Sequence, residues 1–232
     1  MRRGKIVYSL LAVMLLLGVV PLLVASSKLI ENSQTELRAA EIELQLDQTR
    51  SIRDQIRLYL QATQQQVVAI AKTFGGGGDA AQVAARIASV SSGQELIHYV
   101  GEDSHVVYIV VSDRDGRGGQ AGPGGNLAPE LQTYLQDSFV EAVKGNDYVS
   151  PPFVDRELLD TVMVLSTPIL VSTGADRSTR YVAGVVSAVV SLRPIQEIVQ
   201  GKTLEGRQVY VVGGNGLLIA HSDRKTLFTN GD

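Results

Sequence analysis

The sequence predicts an α+β protein: an amino-terminal transmembrane helix continuing into a long helix, an antiparallel sheet module with helices, and the start of a second such module. Three observations carry this. Residues 6 to 25 bear no charge and follow Arg2, Arg3 and Lys5. Residues 27 to 74 contain neither proline nor glycine. Beyond them, β-branched runs such as Val106-Val107-Tyr108-Ile109-Val110-Val111 alternate with helical and turn-forming stretches.

A helix over residues 6 to 25 would be roughly 30 Å long, the thickness of a bilayer's hydrocarbon core. Basic residues resist translocation, so the amino terminus is expected in the cytoplasm and everything after Ala25 on the other side. The expected location is the cell inner membrane, with a single amino-terminal span and the bulk in the periplasm or extracellular space. A cleaved signal peptide is the rival, but the apolar run exceeds the usual core of about 7 to 15 residues. The chain has no cysteine, which removes a lipoprotein anchor, disulfides, cysteine-ligated zinc and thiol catalysis. Net charge is −3, from 21 basic and 24 acidic residues, with no block of like charge after the anchor. Nucleic acid is therefore not an expected partner.

The run from residue 26 to 74 reads as one extended helix. Its distal half carries Ile52, Ile56, Tyr59, Val67, Ile70 and Phe74 at spacings that build an apolar stripe. Its proximal half has only Leu29, Leu37, Leu44 and Leu46 among charges. The distal stripe is expected to cover a domain core, and the proximal half to pair with a second copy as a homodimer. Gly75 to Gly78 stop the helix; no Gly-Lys-Ser/Thr follows, so they are not a phosphate loop.

The membrane-distal module is expected over 75–192 and the beginning of a membrane-proximal one over 193–232. Residues 80 to 90 read as a short helix, and 97 to 112 hold a strand pattern. Asp113-Arg114-Asp115-Gly116 is a turn; a calcium loop would put Val111 and Gly122 where carboxylates are needed. Gly116, Gly118 and Ala121 fit a loose dinucleotide fingerprint, but Gly122-Pro123-Gly124-Gly125 cannot start the helix that chemistry needs. Residues 116 to 126 are expected to be a mobile loop. A helix follows over 127 to 144, with Leu131, Leu135, Ser138, Phe139 and Ala142 on one face.

Three extended segments come next: 148 to 154 interrupted by Pro151-Pro152, 161 to 171 carrying Pro168, and 181 to 192 free of proline. The last is the best candidate for the sheet interior, and 173 to 180 link the latter two as a hairpin. The helices are expected on one face of this sheet. After a short helix to Gly201, Val209-Tyr210-Val211-Val212 repeats the pattern at 107 to 110 about a hundred residues later, so a second copy is expected to begin there. The chain ends before that copy could be complete, and the sequence is expected to be a piece of a longer protein.

In order of parts the chain resembles the double Cache sensor family, whose modules are PAS-like. The resemblance rests on Tyr148-Val149-Ser150-Pro151-Pro152-Phe153-Val154-Asp155, Leu165-Ser166-Thr167-Pro168-Ile169, Gly184-Val185-Val186 with Leu192, and Asn215-Gly216-Leu217-Leu218-Ile219-Ala220-His221. It implies the extracytoplasmic input region of a membrane-anchored receptor, which binds a small molecule and transmits a helix displacement to an output domain beyond this chain. It implies no enzyme activity and no cofactor. The branch of the family that binds amino acids carries an Arg-x-x-Trp-Tyr type signature, a Tyr-x-Asp pair and a later Asp. Here there is no tryptophan, Phe153 and Asp155 stand at the pair, and Val189 stands at the later acid. Loss of these partners disfavours amino acids as ligands.

The candidate ligand-binding residues are Asp155, Phe153, Tyr108, Tyr134, Met163, Leu165 and Val189. Asp155 could receive a cationic or hydroxylated group or cap a turn beside Arg156. The three aromatics could line a cavity between sheet and helix, and Met163, Leu165 and Val189 would make the same wall apolar. His98, His105 and His221 are not at metal-ligand spacing, and no serine lies in a Gly-x-Ser-x-Gly elbow, so neither metal nor catalytic residues are assigned. The alternative function is an anchored adaptor that binds a protein partner and no small molecule.

Overall fold

The structure, a computed structural model, describes residues 3–76, 80–101, 104–123, 127–173, 179–201 and 208–223. The expected turn over 173 to 180 falls at 174–178 outside the described residues, as do Gly77, Gly78 and the chain beyond 223. The chain divides into two compact units, Met1–Ser51 and Ile52–Asp232.

The first unit is helical. Helix α1, Arg3–Gly75, begins in it, and Leu29, Leu37, Leu44 and Leu46 are exposed. Asp47 and Arg50 form an i,i+3 ion pair at 3.1 Å. The expected membrane location is overturned here: among the described residues no helix is long and apolar enough to cross a membrane. Helix α1 does run through 6 to 25; a span needs about 20 apolar residues in succession, and among the described residues no helix supplies them.

In the second unit the distal part of α1 buries Ile52, Val67, Ile70, Ala71 and Phe74. Helix α2, Ala80–Ser89, adds Val83 and Ile87 to the same core. Arg86 of α2 donates to the carbonyls of Thr73 and Gly76 at 3.2 to 3.3 Å, satisfying acceptors that the end of α1 leaves open. Residues 94 to 99 form a 3-10 helix, Gln94–Tyr99, so the expected strand starts later, at β1, Val106–Asp113.

Strand β2, Gly118–Ala121, pairs antiparallel with β1 in the stretch expected to be a loop. Its glycines are required by close approach. A Cβ at Gly119 would stand 1.7 Å from the Val90 carbonyl oxygen, and one at Gly118 1.9 Å from that of Val111. The turn between the strands is closed by Asp113, whose Oδ1 accepts from the amides of Asp115 and Arg117 at 2.9 and 2.8 Å.

Helix α3, Pro129–Val143, starts with proline in its first turn, where the missing N–H costs nothing. The prolines at 151 and 152 split the next extended segment into β3, Tyr148–Val149, and β4, Phe153–Asp155. Strands β5, Asp160–Thr173, and β6, Thr179–Ser191, follow. The sheet order is β2-β1-β6-β5-β3, with β4 also paired to β5, and every pairing is antiparallel. The proline-free β6 lies at its centre, as expected. Pro168 in β5 stands beyond Ser166, the last residue paired with β3.

Helices cover both faces, not one. Along β5, Met163 and Leu165 enter the core with α1 and α2, while Val162 and Val164 enter a second core with Leu131 of α3. This is the period-two alternation of a strand buried on both sides. Helix α4, Arg193–Gln200, follows β6. It leads to a separate hairpin of β7, Tyr210–Val212, and β8, Leu218–His221. Gln196 ties α4 to β8 by donating to the His221 carbonyl at 2.7 Å and accepting from its amide at 2.9 Å.

Candidate functional site

The layer between α3 and the sheet gathers four of the seven candidate residues. Tyr108, Phe153 and Val189 are buried there with Leu131, Val162 and Val164, and Tyr134 packs against them. The register explains the meeting: Val189 pairs with Tyr108 on one side and with Val164 on the other, so neighbouring strands present these side chains to α3. The rings of Tyr134 and Phe153 stack at 4.7 Å and 27°. Met163 and Leu165 are not brought to this layer. They occupy the opposite parity of β5 and pack under α1 and α2.

Tyr108 is the unusual member. Its side chain is buried, at 5% exposure, and its hydroxyl finds no hydrogen-bond partner among the described residues. Burial pushes its pKa up. A buried hydroxyl left unpaired costs about 1 to 3 kcal/mol. Gly122 gives the ring its space, because a Cβ there would stand 2.1 Å from Tyr108 Cδ2.

Asp155 is buried at the edge of the same layer. Its Oδ1 accepts from the amides of Glu157 and Leu158 at 2.9 and 3.0 Å, which closes the β4–β5 turn that also holds Leu159 at φ 50°. Asp155→Ala is expected to lower stability by about 2 kcal/mol, since two amides lose their acceptor. Asp155→Asn, which keeps a carbonyl oxygen, should lose less than half of that in urea denaturation. Equal damage from both variants would mean that the charge, and not the turn, is what the position needs.

Sequence reasoning passed over the polar part of this layer. Ser138 of α3 and Ser166 and Ser187 of β5 and β6 are buried. Ser166 donates to Ser187 at 2.7 Å, Ser138 and Ser187 hydroxyls lie 3.5 Å apart, and Ser138 donates to the Leu135 carbonyl at 2.8 Å. Their signal was present as serines inside β-branched runs and on the apolar face of a helix. Small hydroxyls in a sheet core are otherwise under-used.

A concavity lies at the end of the sheet where β1 begins and β6 ends. This cleft, of about 480 Å3, includes His105, Asp160, Ser191, Arg193 and Glu197 in its lining. Tyr59 of α1 reaches its rim. The Tyr59 hydroxyl donates to the Ser191 carbonyl at 2.6 Å, and its ring meets His105 edge-on at 5.4 Å. Burial, opposed by Thr63 and reinforced by the nearby Asp160 charge, pushes the Tyr59 hydroxyl up to about 12.

Solved structures similar to this chain in fold are ligand-binding sensory domains of bacterial chemoreceptors. The solved structures similar to this chain include the sensory domain of the Campylobacter jejuni chemoreceptor Tlp3, at 15% identity, with 85% of this chain and 78% of that one covered and a TM-score of 0.59. The Tlp3 ligand-binding domain in complex with L-valine matches at 15% identity, 85% and 77% coverage and a TM-score of 0.58. The Tlp3 sensory domain with isoleucine bound matches at 14% identity, the same coverage and a TM-score of 0.58. At these identities the likeness is one of fold. No family model matches the chain, and no curated protein matches it.

Proposed function

We propose that this protein is the small-molecule-binding input region of a bacterial sensory receptor, with the ligand seated between α3 and the strands β1, β5 and β6. The observation that carries the reading is the unpartnered Tyr108 hydroxyl in the wall of that layer, in a fold shared with chemoreceptor sensory domains. The surrounding groups favour a compact, largely apolar ligand with one hydrogen-bond acceptor. Val189, Val164 and Leu131 offer no charge, and an oxygen of Asp155 is engaged by backbone amides. Among the described residues no arginine is buried to receive a carboxylate, so the amino-acid ligands of the Tlp3 complexes are not expected here. Occupancy would be passed on as a displacement of α1, and the exposed leucines of the first unit support pairing with a second copy of the chain.

The test is a thermal-shift and calorimetric screen of small metabolites on the full chain. A ligand should raise the melting temperature in a saturable way, and Tyr108→Phe should weaken it about tenfold, equivalent to about 1.4 kcal/mol. The same variant should leave the ligand-free protein as stable or slightly more so, because it removes an unpaired buried hydroxyl. A folded protein that responds to nothing in a broad screen would refute the proposal. The packed state of the α3 layer and the exposed Leu29, Leu37 and Leu44 favour a second reading, an adaptor for a protein partner, which that negative result would bring forward.

A further inference from the structure

We infer that the cleft at the end of the sheet is a second binding site, for a small organic cation: a primary ammonium on a short apolar body. This goes beyond the proposed ligand site in the α3 layer and does not rest on it.

The volume of about 480 Å3 lies in the range of small-molecule pockets, about 300 to 1,000 Å3. Val107, Leu158 and Pro194 make part of its wall apolar, while Asp160, Glu197, Arg193 and His105 supply its polar side. Two carboxylates face one guanidinium, and His105 is the remaining titratable group of the lining, so the formal balance favours an added positive charge.

The carboxylate most committed to the cleft is Asp160, whose side chain is only 12% exposed. Its Oδ2 accepts from the Ser191 hydroxyl at 2.6 Å and its Oδ1 from the Thr161 amide at 2.8 Å. A carboxylate offers about four lone-pair sites, which leaves capacity for another donor. Its charge partner holds it loosely. Arg193 Nη2 stands 3.9 Å from Oδ2, beyond hydrogen-bond distance, and its side chain is 56% exposed. Glu197 is four residues along α4 from Arg193, hence on the same helix face. Among the described residues it enters no ion pair. An ammonium has three donors and a compact charge; set between Asp160 and Glu197 it would displace Arg193 and lay its body on the apolar wall.

Occupancy there has a path to α1. Ser191 donates its hydroxyl to Asp160, its amide to the His105 carbonyl at 2.9 Å, and offers its own carbonyl to Tyr59 of α1. A ligand that pulls on Asp160 pulls on the residue α1 grips.

The probe is n-butylammonium chloride, titrated into the full chain by calorimetry beside n-butanol and sodium butyrate, with hydrogen exchange read over residues 56 to 63. Butylammonium should bind saturably, with butanol and butyrate much weaker, and should change exchange around Tyr59. Glu197→Gln, an exposed substitution compatible with folding, should weaken it about fivefold. Arg193→Ala should tighten it by removing a competitor for Asp160, an outcome that damage to the fold would not produce. The inference is overturned if the folded chain does not bind butylammonium, if butanol binds as well, or if neither substitution changes the affinity.

Discussion

Gly184→Val is expected to lower the stability of the protein by about 3 kcal/mol or more, or to prevent folding. Gly184 sits in the central strand, paired with Asp113 of β1 and Ile169 of β5. A Cβ placed on it would lie 2.3 Å from the Ser112 carbonyl oxygen and 2.6 Å from Ile87 Cδ1. Side-chain tips can swing away, but the Ser112 carbonyl belongs to β1 and cannot retreat without disturbing its pairing. Even Gly184→Ala should be clearly destabilising, since the first added carbon already makes the contact. Denaturant titration of the wild type and both variants measures this. A midpoint unchanged in the valine variant would show that β1 and β6 are not packed as closely as described.

Val189→Asp should cost about as much, by a different route. Val189 is fully buried, at 0% exposure, between Tyr108 and Val164. A carboxylate there would lose its hydration, and among the described residues no lysine or arginine is buried to replace it. The expected loss at neutral pH is about 4 kcal/mol, and its pH dependence has a definite sign. Burial raises the folded-state pKa of the new carboxyl above its ordinary value of about 3.9. Between the two values the folded state holds more protons, so relative stability falls as pH rises from about 4 toward the raised pKa. The penalty should be smallest in mild acid, and Val189→Asn should show no such slope. A variant as stable as wild type at neutral pH would mean that water or a cation reaches Val189, and the apolar character assigned to the ligand layer would be wrong.

How much of this could be read from residues alone depended on how local the signal was. Strands β1 and β6 announce themselves by β-branched runs, and α2 and α3 by apolar spacing. Strand β2 does not, because Gly118, Gly119 and Gln120 lack strand propensity. Gly118 and Gly119 belong in the sheet because neighbouring backbone leaves no room for a side chain. The candidate site divides along the same line. Tyr108, Tyr134, Phe153 and Val189 lie together in one packed layer, whereas Met163 and Leu165 lie in the core on the other face. Placing them required the pairing of Val164 with Val189, and a one-residue change of register turns every side chain over. The membrane segment was read from the uncharged residues 6 to 25, and among the described residues no helix is long and apolar enough to cross a membrane.

The guanidinium of Arg86 constrains how α1 can move. Three contacts to the carbonyls of Thr73 and Gly76 tether the carboxyl end of that helix to α2. A piston stroke along the axis would stretch all of them together, whereas a swing that pivots at this tether leaves them intact. Tyr59, about four turns away and held to Ser191, would follow an arc in such a swing, so the permitted motion of α1 is that of a lever about Arg86.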